Sequence, residues 1–139
     1  MIFKKNVATF IKRGRAVILS KRIEEWEGKP VPFGGYFSPF AGAVEQNESP
    51  EETAIREIKE EAQLDFETTD LNYITTIQRE DSELILYYIE DKKKGDIKLN
   101  EEHTESGIFL ISELFNLPSE FKIDKEIIKP FQDFIEKLG

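Results

Sequence analysis

Apolar residues recur along this chain in two rhythms. Val7–Ile11 and Ala16–Lys21 are short runs rich in β-branched and apolar residues, which predicts two strands, with Lys12-Arg13-Gly14-Arg15 as a tight turn between them. Tyr73–Gln78, Leu84–Ile89 and Gly107–Ile111 predict further strands, and Asp91–Asp96, with three Lys and a Gly, predicts a hairpin turn. The helical rhythm is clearest over Ser49–Ala62. Ser49 suits an N-cap, Pro50 the first helical position, and Glu52 completes a capping box. Ala54, Ile55, Ile58 and Ala62 then fall on one face. Asp124–Leu138 predicts a second amphipathic helix with Ile127, Ile128, Phe131, Phe134, Ile135 and Leu138 inward. Pro130 either kinks that helix or marks its true start. Ser112–Phe115 predicts a short helix ended by Pro118. Strands, a helix, more strands and a final helix imply a mixed sheet packed between helices, an α/β or α+β sandwich. Sequence order alone leaves the strand pairing open.

One segment breaks both rhythms. Glu24–Ser38 contains Gly28, Pro30, Pro32, Gly34 and Gly35, so it reads as a long loop. It also carries Trp26, Phe33, Tyr36 and Phe37. A long aromatic loop in a small domain is commonly functional. Its aromatics either join the core or stack a substrate group; Trp26, Phe33 and Tyr36 are the candidates for binding.

Length and composition narrow the function. At 139 residues, 39 % hydrophobic with eleven Phe, the chain fits a single domain over residues 1–139 with a sizeable core. It has no Cys, which excludes a catalytic thiol, a zinc–thiolate site and a disulfide, and suits a cytoplasmic protein. Lys12, Arg13 and Arg15 interrupt any signal-peptide apolar core, and no apolar run could span a bilayer. A net charge of −9 argues against nucleic-acid or anionic-membrane partners. The charge is uneven, however. Residues 1–22 carry Lys4, Lys5, Lys12, Arg13, Arg15, Lys21 and Arg22 and no acid. These cations either solvate strand edges or form a basic wall for substrate phosphates.

The chemistry concentrates in the first helix. Glu57, Glu60 and Glu61 stand at i, i+3 and i+4, which gathers three carboxylates on one face, and Arg56 lies i+4 from Glu60. Such a cluster can be an incidental solvated face. It can equally hold a hard divalent cation, because Mg²⁺ prefers carboxylate oxygens and keeps waters and sites for phosphates.

The wider pattern decides between these readings. Gly42, Glu48, Arg56, Glu57, Ile58, Glu60, Glu61 and Leu64 match in register the Nudix box, G-x₅-E-x₇-R-E-U-x-E-E-x-G-U with U a bulky aliphatic. The chain therefore resembles the Nudix hydrolases. It departs at Gln63, where the family has the Gly that ends the helix. Gln can adopt a left-handed conformation there at a cost of about 1 kcal/mol, or the helix can end differently. Ala41 and Asn47 stand where relatives often carry Gly; Asn tolerates the left-handed region.

The resemblance implies an α/β/α Nudix sandwich with the box as loop–helix–loop. It implies Mg²⁺-dependent attack of water on a pyrophosphate of a small nucleotide-like substrate, with Mn²⁺ a possible substitute. Glu57, Glu60 and Glu61 are the implied metal ligands, joined by the Ala41 carbonyl. Glu48 is implied to support the helix. Glu102-His103-Thr104-Glu105 resembles a segment that in relatives supplies an acid to the metal site or a general base; Glu105 is the first choice and Glu102 the alternative. A single His, His103, makes no His-based metal site. The expected state is monomer or homodimer. A nucleotide-sensing domain without catalysis is the alternative reading, and retention of all three acids argues against it.

Overall fold

The computed structural model describes residues 3–31, 34–92, 103–118 and 121–138, with the backbone alone at 103–105. Among the described residues, ten strands and two helices follow in chain order: β1 Lys4–Arg13, β2 Ala16–Arg22, β3 Glu25–Trp26, β4 Lys29–Pro30, β5 Tyr36–Ser38, β6 Phe40–Ala43, α1 Pro50–Ala62, β7 Asn72–Gln78, β8 Ser82–Glu90, β9 His103–Leu110, β10 Lys122–Ile123 and α2 Lys125–Leu138. Short 3₁₀ turns occupy Thr68–Asp70 and Ile111–Asn116.

β1 is the spine of the mixed sheet. It runs parallel to β8 along Lys4–Lys12. On its other side its first half meets β6 and its last residues meet β2, both antiparallel. β2 then carries β9 on one side and β5 on the other. Because β6 and β5 follow different neighbours, the sheet parts between them.

Burial on both faces explains why Val7–Ile11 has no alternation: all five residues are buried. Successive side chains point to opposite faces. Ala8 and Phe10 join Ile128 and Phe131 of α2, where Phe10 stacks on Phe131 at 4.1 Å between ring centroids. Ile11 joins Ile58 and Ala62 of α1, and Val7 joins Ala54. The architecture is thus the α/β/α sandwich expected, with one helix layer on each face of the sheet.

α1 begins as its sequence dictates. The Ser49 hydroxyl accepts from the Glu52 amide at 3.1 Å, and the Glu52 carboxylate accepts from the Ser49 amide at 2.9 Å. The helix ends on Gln63 in the left-handed conformation (φ 55°, ψ 37°), its amide donating to the Lys59 carbonyl. This is the first of the two outcomes foreseen for the missing glycine. Gln63→Gly should therefore raise unfolding stability by about 1 kcal/mol, read from urea melts, and leave turnover unchanged. Asn47 also adopts positive φ, 68°.

Several boundaries differ from the expectation. The Glu24–Ser38 loop contains the small β3–β4 hairpin and strand β5; two- and three-residue strands carry too little periodicity to be seen in sequence. The expected Asp91–Asp96 hairpin does not join paired strands, because β8 lies between β1 and β7 whereas β9 pairs with β2. Residues 93–96 lie outside the described set. Asp91 itself is buried and accepts from Arg13 Nε at 2.8 Å. Pro130 sits inside α2, which runs through it. Leu138, expected inward, is 62 % exposed at the last turn. Among the described residues no helix is long and apolar enough to cross a membrane.

Candidate active site

The site forms where α1 crosses β6. Gly42 pairs with Val7 of β1 and so presents its α-carbon to the α1 face of the sheet. The Glu57 side chain lies directly on it. A Cβ at Gly42 would overlap the Glu57 carboxyl group and its Cγ. The first position of the box is thus glycine for space: its absent side chain is the seat of the Glu57 carboxylate. Gly42→Ala should displace that carboxylate and lower kcat by about 10–100-fold, the usual scale for disturbing the support of a metal ligand. A melting temperature within a few degrees of the parent would show that the loss is local.

Arg56 organises the acids around it. Its Nε and Nη2 donate to the two Glu48 carboxylate oxygens at 2.8 and 3.0 Å, a bidentate fork. Its Nη1 donates to Glu57 Oε1 at 2.8 Å and lies 3.3 Å from Glu60 Oε2, while Nη2 reaches the Ala43 carbonyl at 3.4 Å. Thr53, buried on α1, donates its hydroxyl to Glu48 at 2.6 Å. The Arg56 bond, followed by that from Thr53, holds the Glu48 carboxyl down at about 2. Glu48 is therefore committed to fixing the guanidinium, which ties the box loop to the helix.

The three box acids are not equivalent. Glu61 is 1 % exposed, Glu57 is largely covered, and the Glu60 side chain is 54 % exposed. Burial, then the neighbouring Glu61 charge, pushes the Glu57 carboxyl up to about 7 despite Arg56. Sequence spacing placed all three on one face but could not show that Glu61 is carried into the interior. Among the described residues no three acids already converge on one point, because Glu57 and Glu60 both address Arg56. The donor set nevertheless suits a hard divalent cation. Clustered carboxylates, one buried and one seated on a glycine shaped for it, carry charge that such an ion would offset.

A cleft of about 450 Å³ opens beside these acids. Glu57, Gly42 and Ala41 line it, with Tyr36 from β5 and Asn6, Arg22 and Arg79 from neighbouring strands and turns. Of the aromatic candidates, Tyr36 reaches the cleft. Trp26 stands 48 % exposed on the β3–β4 hairpin and does not line it. Phe33 lies outside the described residues. Phe37 is core, packed edge-on to Phe109. Glu105 is placed by backbone register opposite Lys21, beside the cleft residue Arg22; Glu102 lies outside the described residues. The basic N-terminal segment divides. Lys5, Lys12 and Arg13 meet Glu83, Glu90 and Asp91, whereas Arg22 turns to the cleft. Arg22 is one of the seven N-terminal cations read as a candidate basic wall, whereas Asn6 and Arg79 had not been singled out for a site. Only strand pairing brings the three together at this cleft.

The likeness to known proteins follows the same lines. A sequence model of the NUDIX domain matches residues 3–131. No curated protein is significantly similar. Among solved structures, the MutT protein of Methanosarcina mazei Go1 superposes with a TM-score of 0.75 at 18 % identity, over 99 % of this chain and 96 % of that one. The MutT NUDIX hydrolase of Burkholderia pseudomallei gives 0.76 at 19 % identity, over 97 % and 99 %. The NUDIX domain of Shewanella oneidensis NrtR, solved with ADP ribose, gives 0.73 at 14 % identity, over 100 % and 90 %. The fold is shared throughout, and with the matched domain spanning nearly its whole length, the chain belongs to the Nudix hydrolase family.

Proposed function

We propose that this protein hydrolyses a pyrophosphate bond in a small nucleotide-like substrate by attack of water at phosphorus, with Mg²⁺, or Mn²⁺ in its place. The observation that carries this reading is the seating of Glu57 on Gly42 beside Glu60 and Glu61, at the wall of a nucleotide-sized cleft. Glu57, Glu60 and Glu61 would hold the metal, with the Ala41 carbonyl as a further oxygen donor. The bound ion would neutralise the diphosphate and acidify a water.

The chain's own residues do the rest. Arg56, fixed by Glu48, sets the direction of Glu57 and Glu60 and limits their mutual repulsion. Glu105 is our choice for the base, since the carboxylates on Arg56 are already engaged. Tyr36 offers a ring to the group borne by the diphosphate. The domain would work in the cytoplasm as a monomer or homodimer.

A ligand-sensing domain is the second reading, favoured by the ADP ribose bound to the NrtR domain that shares this fold. One experiment separates the two. Nucleoside triphosphates, dinucleoside polyphosphates, ADP-ribose, NADH and nucleotide sugars are incubated with the protein in Mg²⁺ and in EDTA, and the products resolved by chromatography. We expect metal-dependent release of two phosphate-bearing products from one class. Saturable binding of a compound that survives intact would establish the sensing reading instead.

A further inference from the structure

We propose that Thr53 is a positioning residue of the metal site: its hydroxyl holds the Glu48 carboxylate, and through it the Arg56 guanidinium that aims Glu57 and Glu60. The inference rests on reading those two acids as metal ligands. Thr53 lies near the start of α1 and is fully buried. Arg56 and Glu57 follow it at i+3 and i+4, so hydroxyl, guanidinium and carboxylate share one helical face. A β-branched side chain in a helix has few rotamers, and burial restricts them further. The hydroxyl is therefore a fixed point.

The direction of its proton carries the argument. Thr53 Oγ1 has two acceptors in reach, Glu48 Oε1 at 2.6 Å and the Ser49 carbonyl at 3.1 Å. A helical Thr commonly donates back to the carbonyl four residues earlier, which here is Ser49. The shorter distance and the charged acceptor favour Glu48 instead. The same Glu48 oxygen receives Arg56 Nη2 at 3.0 Å, and its other oxygen receives Arg56 Nε at 2.8 Å. Glu48 precedes the N-cap, on a turn where its amide donates to the Glu45 carbonyl and Asn47 has positive φ. A long side chain leaving a loop loses entropy when it is held in one rotamer, so it needs an anchor. The helix supplies one through Thr53.

Arg56 requires that anchor because it has a choice of partners. Glu45, Glu48, Glu57 and Glu60 lie 3.7, 2.8, 2.8 and 3.3 Å from its nitrogens. A guanidinium is planar, so turning its Nε–Nη2 edge to one carboxylate fixes where Nη1 points. With that edge on Glu48, Nη1 meets Glu57 and lies beside Glu60. Without the hydroxyl, Glu48 is freed to move, Arg56 redistributes among the four acids, and Glu57 and Glu60 lose their common direction. Disturbing an outer partner of a metal ligand costs about 10–100-fold in metal affinity or activity. Thr53 stands one bond further out, which sets the low end of that range.

The test compares Thr53→Val, which keeps the shape and removes the hydroxyl, with Thr53→Ser, which keeps the hydroxyl. Three quantities are read besides the melting temperature: hydrogen exchange at Arg56 Nε by nuclear magnetic resonance without metal, Mn²⁺ affinity by electron paramagnetic resonance, and kcat with KM. In Thr53→Val the Nε proton should exchange about tenfold faster, Mn²⁺ affinity should fall about tenfold, and kcat should fall with KM close to the parent's. Thr53→Ser should restore all three. Parent-like Mn²⁺ affinity in folded Thr53→Val overturns the proposal, even where the Nε proton exchanges faster. So does a Thr53→Ser variant as impaired as Thr53→Val, because shape and not the hydroxyl would then matter. If Thr53→Val fails to fold, Thr53→Ala is judged by the same readings, and loss of the fold in both would make the hydroxyl a structural element and overturn the proposal. A parent protein that binds no Mn²⁺ would remove the metal reading of α1 itself. Mn²⁺ binding indifferent to the Thr53 hydroxyl would remove this inference alone.

Discussion

Glu57→Gln is expected to lower kcat by about 10²–10³-fold and, in EDTA at pH 8, to raise the melting temperature. The scale of the first effect is that of removing one preorganised electrostatic group from a reacting centre. The second follows from the same environment. Glu57 is largely covered, close to the Glu61 and Glu60 charges, and its carboxyl is pushed up to about 7 from an ordinary 4.5. The unfolded chain therefore releases this proton near pH 4.5 while the folded protein retains it up to about 7. The corresponding stability is fully present below 4.5 and is lost as pH rises through about 7. Glu48 has the opposite sign: with its carboxyl held at about 2, its contribution is present above 4.5 and lost as pH falls toward 2. Melting temperatures in EDTA from pH 4 to 8 should thus decline between about 4.5 and 7 and level off above that in the parent, and flatten in Glu57→Gln. Saturating Mg²⁺ should restore the parent and do little for the variant. A variant that melts lower than the parent at pH 8, with an unaltered slope, would show that the Glu57 charge is not the strained element.

What the sequence disclosed, and what it hid, divides by the range of the interactions concerned. α1 was legible because its signals are local: the Ser49–Glu52 capping box, Pro50 and the spacing of Ala54, Ile58 and Ala62 all act within a few residues. The box acids were legible for the same reason, since a motif is a fixed spacing on one helix. Burial was not. Glu61 shares a helix with Glu60, yet one is interior and the other faces solvent, because β6 and β1 cover only part of the surface. Nor did any local pattern show that β1 would run parallel to β8, seventy-odd residues later, or that the sheet would part between β5 and β6. That parting assembles the cleft. Arg22, Tyr36 and Asn6 become neighbours of Glu57 only through it, so a site recognised from one motif gained its remaining wall from long-range pairing. The aromatic loop shows the same limit. Trp26, Tyr36 and Phe37 have similar local surroundings in sequence, but the fold sends them to solvent, cleft and core respectively.

Glu105→Gln should lower kcat by about 10²–10⁴-fold with little change in metal affinity, the range for removing a general base. The reasoning starts from how the other acids are occupied. Glu48 is locked to Arg56 and Thr53, Glu57 accepts from Arg56, and Glu60 lies against the same guanidinium. The Arg56 bond weakens Glu48 as a base, and a bound metal would draw on the Glu57 and Glu60 oxygens in the same way, Glu57 included although burial raises its carboxyl. Proton abstraction calls for an acid from another element. β9 supplies one: its backbone register sets Glu105 opposite Lys21, one residue before Arg22 enters the cleft. The exchange to Gln preserves size, so the strand pairing that holds β9 to β2 should survive, and with it the melting temperature. Mn²⁺ affinity, read by electron paramagnetic resonance, distinguishes a base from a metal ligand. A base leaves it nearly unchanged, while a ligand weakens it together with kcat. The pH–rate profile adds a signature that a structural role would not move: the acidic limb of kcat/KM should disappear in Glu105→Gln. Glu102→Gln is the parallel measurement, because the two acids flank His103 and Thr104 in sequence. A large effect at Glu102 alone would transfer the role to it. Small and equal effects at both would return the base to α1, where Glu60, the most exposed of the three box acids, would be the residue to exchange next.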